Sequence, residues 1–289
     1  MCKQLLLATV IVIVFFVVGT QVTVANNGDL TRIPKKLESN ERAFVPANLA
    51  NAISQETATI KAKDILSTLG IKSGQLDTLQ LVRDTVNQQD LWQLRYKGAW
   101  VDVNPYDGKV VGISNKDFAI GQHAITDASE AEKVAKKLYN QLKAPSDYQL
   151  ISVTNEDSDY WSALWEKEVV PGVLSGYESV KIVFSSDNGR LRLYHWFNKA
   201  PNSTQVTLTQ EQAINIASST VGPRGFKDIV EAKLNVIQPN YYWTEGGPYS
   251  KADYTTLAWT VKFSNGQNKN ALVWVDAQDG SILGGDQTL

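Results

Sequence analysis

Three stretches of the chain carry apolar residues at helical spacing, and each is followed by stretches in which apolar and polar residues alternate. Over 54–70, Ala58, Ala62, Ile65, Leu66 and Leu69 fall on one helix face; Ser54 is placed to cap the start and Gly70 the end. Over 126–145 the stripe is Ala131, Val134, Ala135, Leu138 and Leu142, and Asp127 with Glu130 has the spacing of a capping box. Over 208–222, Thr209 and Gln212 have the same spacing, Leu208 and Ala213 are placed for a hydrophobic staple, and Gly222-Pro223 stops the helix.

The alternating stretches predict strands. One follows each helix, at 78–82, 148–153 and 232–237, and a Trp-bearing strand comes next. In the latter, Trp92, Leu94 and Tyr96 share a face, as do Trp161, Ala163 and Trp165, and Trp259, Val261 and Phe263. Each set ends near an Asp-Gly or Asn-Gly pair, at Gly108, Gly189 and Gly280, which predicts a tight hairpin. The fold class expected is α+β: three repeated units, each an N-terminal helix packed on a roughly four-stranded antiparallel sheet. The units span 54–114, 126–198 and 205–289, with insertions at 169–179 in the second and 238–254 in the third. Units this small have thin cores, so they are expected to pack side by side.

The N-terminus reads differently. Lys3 precedes an apolar run from Leu5 to Gly19, and the small residues Thr23 and Ala25 follow, which predicts a secretory signal peptide over 1–25. The alternative is an uncleaved anchor with the rest of the chain outside, but the apolar run falls short of the ~20 residues that span a bilayer. Residues 26–53 read as a polar linker. Cys2, the only cysteine, lies in the leader, so the mature chain has neither disulfides nor thiolate metal sites.

Hydrophobic content of 43%, charged content of 20% and a net charge of -2 describe an ordinary globular protein and exclude a strongly basic nucleic-acid footprint. His123 and His195, on different units, do not make a zinc site. His195 alternates in phase with Leu191 and Leu193 and reads as a half-buried strand residue. No Gly-x-Ser-x-Gly elbow and no phosphate-cradling loop occur. Asn155, Asp157, Asp159 and Glu166 match calcium-loop spacing, but Tyr160 stands where glycine is needed and a strand is expected there, so an acidic hairpin turn is the simpler reading. Asp102, Asp276 and Asp279 lie in strands and turns, where turn formation explains them better than a paired-carboxylate site. No catalytic residue, metal ligand or cofactor site is assigned. The remaining signal is aromatic: Tyr241, Tyr242, Trp243 and Tyr249 in the third insertion are candidate partner-binding residues, against the alternative that they cover a thin core.

The helix "TLTQEQAINIA", the strand "LAWTVKF" and the closing hairpin "ALVWVDAQDGSILGG" of the third unit resemble a PepSY domain. The triplication, the leader and the lack of cysteine resemble YcdB/YcdC-type repeat proteins of Gram-positive bacteria. The resemblance implies a secreted, non-catalytic module that binds an extracellular or envelope enzyme, a peptidase or cell-wall hydrolase, and modulates it, with inhibition as one form. No His-Glu-x-x-His protease follows in the chain, so such an effect would act in trans. Two alternatives stand beside it: a structural surface or matrix repeat protein, and an unrecognised hydrolase with a distant carboxylate pair.

Overall fold

The computed structural model describes residues 44–47, 49–84, 89–116, 124–157, 159–244, 251–266 and 269–288. The leader, most of the linker, His123 and Tyr249 lie outside them. Strand β1 (Phe44–Pro46) opens the described chain. Helix α1 (Gln55–Thr68) leads into β2 (Leu76–Asp84), β3 (Gln89–Tyr96), β4 (Ala99–Val103) and β5 (Val110–Asn115). Helix α2 (Ala128–Gln141) leads into β6 (Tyr148–Asp157), β7 (Tyr160–Val170), β8 (Val173–Ser185) and β9 (Leu191–Asn198). Helix α3 (Gln210–Val221) leads into β10 (Asp228–Ile237), β11 (Thr256–Ser264), β12 (Asn270–Asp276) and β13 (Ile282–Thr288).

The helices form where the stripes place them and start at polar caps. Ser54 Oγ accepts from Thr57 N at 3.1 Å, and Asp127 Oδ1 accepts from Ser129 N and Glu130 N at 2.9 Å. Thr209 and Gln212 complete a reciprocal capping box. Each helix buries its stripe against the face that carries the Trp-strand residues. Ala58, Ala62 and Leu66 join Ala131, Ala135, Leu138, Trp92, Trp161 and Trp165 in one core. Ala213, Ala217 and Val221 join Val261 and Phe263 in another.

The molecule is thus mixed, with few helices and large antiparallel sheets, but it does not hold three separate four-stranded sheets. The first eight strands after α1 merge with β1 into one sheet, in the order β1-β2-β3-β4-β5-β9-β8-β7-β6, and the last four form a second sheet in chain order. The merger is made by the two closing strands: Gly112↔His195, Ile113↔Tyr194 and Ser114↔Leu193. Asn115 Nδ2, buried, donates to Leu191 O beside this seam at 2.9 Å. Ile113 and Tyr194, its central pair, each stand five residues beyond a hairpin glycine, so the seam is close to two-fold symmetric. The end of the supposed linker is also part of the sheet, because Phe44–Pro46 pairs with Val82–Asp84.

The tight hairpins form at the Asp-Gly and Asn-Gly pairs. Asn104, Ser185 and Asp276 accept at their carbonyls from Gly108, Gly189 and Gly280, closing four-residue loops. Only the glycines take the left-handed conformation, at φ 70°, 67° and 81°. The preceding Asp107, Asn188 and Asp279 instead accept through Oδ1 from the N–H two residues on, at 3.0, 3.0 and 2.8 Å. A Cβ on these glycines would meet the helix or the aliphatic residue before its cap: in ordinary contact at Gly108, with Ile53 at 3.5 Å, and tightly at Gly189, with Val134 at 2.9 Å and Ile125 at 3.7 Å, and at Gly280, with Ile216 at 3.0 Å and Leu208 at 3.2 Å. The carbonyls of those same three aliphatic residues accept from the Trp strands: Trp92 Nε1 to Ile53 O, Trp161 Nε1 to Ile125 O and Trp259 Nε1 to Leu208 O, at 3.0, 3.1 and 3.0 Å. One lock therefore ties helix entry, strand and hairpin together in each of the three segments.

Three residues past each glycine the ladder slips by one, at Val111, Arg192 and Leu283. The slip at Arg192 corrects the phase of β9. Leu191, Tyr194 and Trp196 face the helices, whereas Leu193 and His195 lie on the opposite face.

Candidate functional site

The insertion that carries the aromatic candidates folds back on its own sheet. Gln238 Nε2 donates to Ala252 O at 2.6 Å and Ala252 N to Pro239 O at 2.8 Å, closing the base of the loop. Asn240 then reaches the outer edge of β13. Its Nδ2 donates to Gly285 O at 2.7 Å, and its Oδ1 accepts from Gly285 N at 2.9 Å. The N–H groups of Asn240 and Tyr241 both point to Leu283 O. Gly284 and Gly285 make the slot, since a Cβ at Gly284 would stand 1.9 Å from Asn240 Oδ1 and one at Gly285 2.6 Å from Trp243 Nε1.

Trp243 is therefore a core residue and not part of an exposed patch. It is 8% exposed, its Nε1 donates to Leu272 O at 2.7 Å, and it packs with Phe226, Val273 and the α3 alanines. Tyr242 meets it edge-on at 4.7 Å between ring centroids. Tyr241, left-handed at φ 52°, shares a hydroxyl hydrogen bond of 2.9 Å with Tyr254; that bond, with some burial, pushes the Tyr254 hydroxyl up to about 12. The insertion works as a plug, a role hidden in a sequence where aromatic content and exposure look alike.

The ionisable candidates do not assemble. His195 lies between Gly112 of β5 and Lys181 of β8, with its ring 3.8 Å from Phe197; burial lowers its pKa to about 4. Asp102 lies across Gly112 on the same face, close enough that a Cβ at Gly112 would stand 3.0 Å from Asp102 Oδ2. Burial raises the Asp102 pKa against the pull of Arg95, whose guanidinium it meets at 2.9 Å. Asn155 and Asp157 end β6, Asp159 follows, and Glu166 lies in the middle of β7, roughly 20 Å along the strand from the hairpin. No helix follows them, as a calcium loop of that type requires. Among the described residues, no three of His, Cys, Asp and Glu come close enough to hold a metal ion.

The sheet edges are more informative. Strand β1 is three residues long and ends in Pro46. Strand β13 is plugged. Along β10, Gln210 Nε2 donates to Ala232 O at 2.6 Å, and Leu234 and Val236 pack against Val173 and Tyr177 of the β7–β8 hairpin. Strand β6 is the last strand of its sheet, and among the described residues none lies beyond it. Its ladder slips at Ile151 and Glu156, and Ser152–Asn155 between them pairs regularly with β7. Ile151 is 41% exposed. Leu150, Ile151, Ser152 and Val153 form one wall of a trough of about 590 Å³, and Ala128, Ser129, Glu132 and Lys136 of α2 form the other. The sequence hint was Leu150-Ile151, adjacent apolar residues in a strand that otherwise alternates.

The third segment can be placed by comparison. Residues 207–286 match the family described as "Peptidase propeptide and YPEB domain", so the chain contains a PepSY domain there. Among solved structures, the chain is similar to the Bacillus megaterium YpeB C-terminal domain, at 14% identity and a TM-score of 0.44, over 83% of this chain and 99% of that one. It is also similar to a protein described as a lipoprotein from Clostridium difficile 630, at 11% identity and a TM-score of 0.22, over 58% of this chain and 97% of that one. No curated protein matches the sequence.

Proposed function

We propose that this chain is a secreted or envelope-facing, non-catalytic binding protein of three PepSY-like units that modulates an extracellular enzyme, a peptidase or a cell-wall hydrolase. The observation that carries the reading is the PepSY domain at 207–286, whose family description names peptidase propeptides. The three-unit reading rests on the lock of Trp92, Trp161 and Trp259 against the carbonyl before each helix cap, recurring with the hairpin glycines. The apolar run at 5–19 supports export.

The test is crosslinking on living cells, identification of the attached proteins, and assay of each enzyme found with and without purified chain. A single stoichiometric enzyme whose turnover changes supports the proposal. Self-association or wall binding with no change in any turnover replaces it with the structural reading. Hydrolysis of substrate by the purified chain alone replaces it with the enzymatic one.

A further inference from the structure

We infer that the free edge of β6 is the docking strand of this protein, and that its occupant is an extended segment of another protein, added antiparallel, with an apolar side chain in the α2 trough and a basic residue beyond it. The inference rests on the binding reading above and names the surface that would serve it.

Three observations carry it. First, the trough lies where the next strand of the sheet would go. Leu150 and Val153 face the helix side, since they pair with Trp165 and Ala163 of the core, and α2 overhangs them. A strand added at β6 would project its inward side chain between that wall and Ala128, Ser129 and Glu132. Secondly, the corresponding edge of the first segment already accepts an extended piece of chain. Phe44–Pro46 pairs antiparallel with the end of β2, and Ala47 N continues the contact to Leu81 O at 3.0 Å. Thirdly, charge decides between partners. A second copy pairing with itself over Ser152–Asn155 would set each Glu156, whose carboxylate also meets Lys181 at 3.3 Å, opposite Ile151 of the other copy, a charged pair against an apolar side chain at both ends. A foreign strand with Lys or Arg at that end avoids the mismatch. The slips at Ile151 and Glu156 limit the regular pairing to four residues, which keeps the edge from adding strands indiscriminately.

The test uses the purified chain and two sets of synthetic ten-residue peptides that alternate apolar β-branched and polar residues. One set begins with Arg-Lys and the other with Glu-Asp, because an antiparallel peptide sets its N-terminal residues opposite Glu156. Fluorescence anisotropy gives affinity, and amide exchange gives location. The expected result is tighter binding of the basic set, slowed exchange over 150–156, and binding weakened about tenfold or more by Ile151→Lys. Ile151 is an exposed bulge residue, so the variant should melt with the parent; Thr154→Lys is the second variant should Ile151→Lys not fold. Binding that leaves 150–156 exchange unchanged, equal binding of both sets, or β6 protection through concentration-dependent dimerisation each overturns the inference. An enzyme partner that binds Ile151→Lys as well as the parent overturns the β6 assignment while leaving the proposed function standing.

Discussion

At the scale of single residues, stability concentrates at polar contacts that the hydrophobic pattern does not show. Trp259 Nε1 donates to the carbonyl just before the α3 cap. Trp259→Phe keeps most of the ring and leaves that acceptor without its donor, so a loss of about 1–2 kcal/mol in unfolding free energy is expected, read from denaturant titration. His195 gives a pH dependence with a definite sign. Its folded pKa, about 4, lies below the ordinary 6.5, so the unfolded chain takes up the proton first. The stability it contributes is full above about pH 6.5 and falls away as the pH drops towards 4, by no more than about 3 kcal/mol. His195→Gln should flatten that part of the stability-against-pH curve while the carboxylate-driven part below it remains. An unchanged slope between pH 6.5 and 4 in the variant would remove His195 from the account.

At the scale of elements, local physics was readable and pairing was not. Helix starts at Ser54, Asp127 and Thr209 follow from cap chemistry within four residues of each site. Thr209→Ala removes the Oγ1 that accepts from Gln212 N, while the backbone N–H at 209 can still donate to Gln212 Oε1, and should cost about 1 kcal/mol, read from the thermal midpoint. The hairpin glycines were also legible, though the Asp and Asn before them do not take positive φ and instead hold the next turn by side-chain acceptance. The slip at Arg192 left no mark in the composition of β9, and one extra residue was enough to move His195 to the other face. Trp243 looked like a surface aromatic because its slot is made by Gly284 and Gly285, some forty residues later. The place of β6 as the last strand of its sheet among the described residues was equally hidden, since an edge is a property of strand order and not of the strand itself.

At the scale of the whole molecule, the insertion at 169–179 acts as a joint. Val173 with Val169, Val170 and Tyr177 packs on Leu234, Val236 and Leu257 of the PepSY domain, and Asn202 N donates to Thr255 O at 2.7 Å where the chain crosses between the sheets. Val173→Asp puts a charge into that small apolar contact. The expected outcome is an earlier, separate calorimetric transition for residues 205–288, with the nine-stranded sheet melting as before; one unchanged transition would show that the contact does not couple the two.

The symmetric seam has a further consequence, best seen as a rule for termination. A closing strand centred five residues past its hairpin glycine presents an edge complementary to a copy of itself, and β5 and β9 satisfy each other in this way. Strand β13 has the same construction at Gly285, but no sibling remains to meet it, and the Asn240 carboxamide takes the place of a neighbouring backbone. Among the described residues, the plug thus covers the edge that a second strand of this kind would otherwise meet. Asn240→Ala combined with Trp243→Ala should release it and give dimers joined through β13, visible as a doubled mass in light scattering that grows with protein concentration.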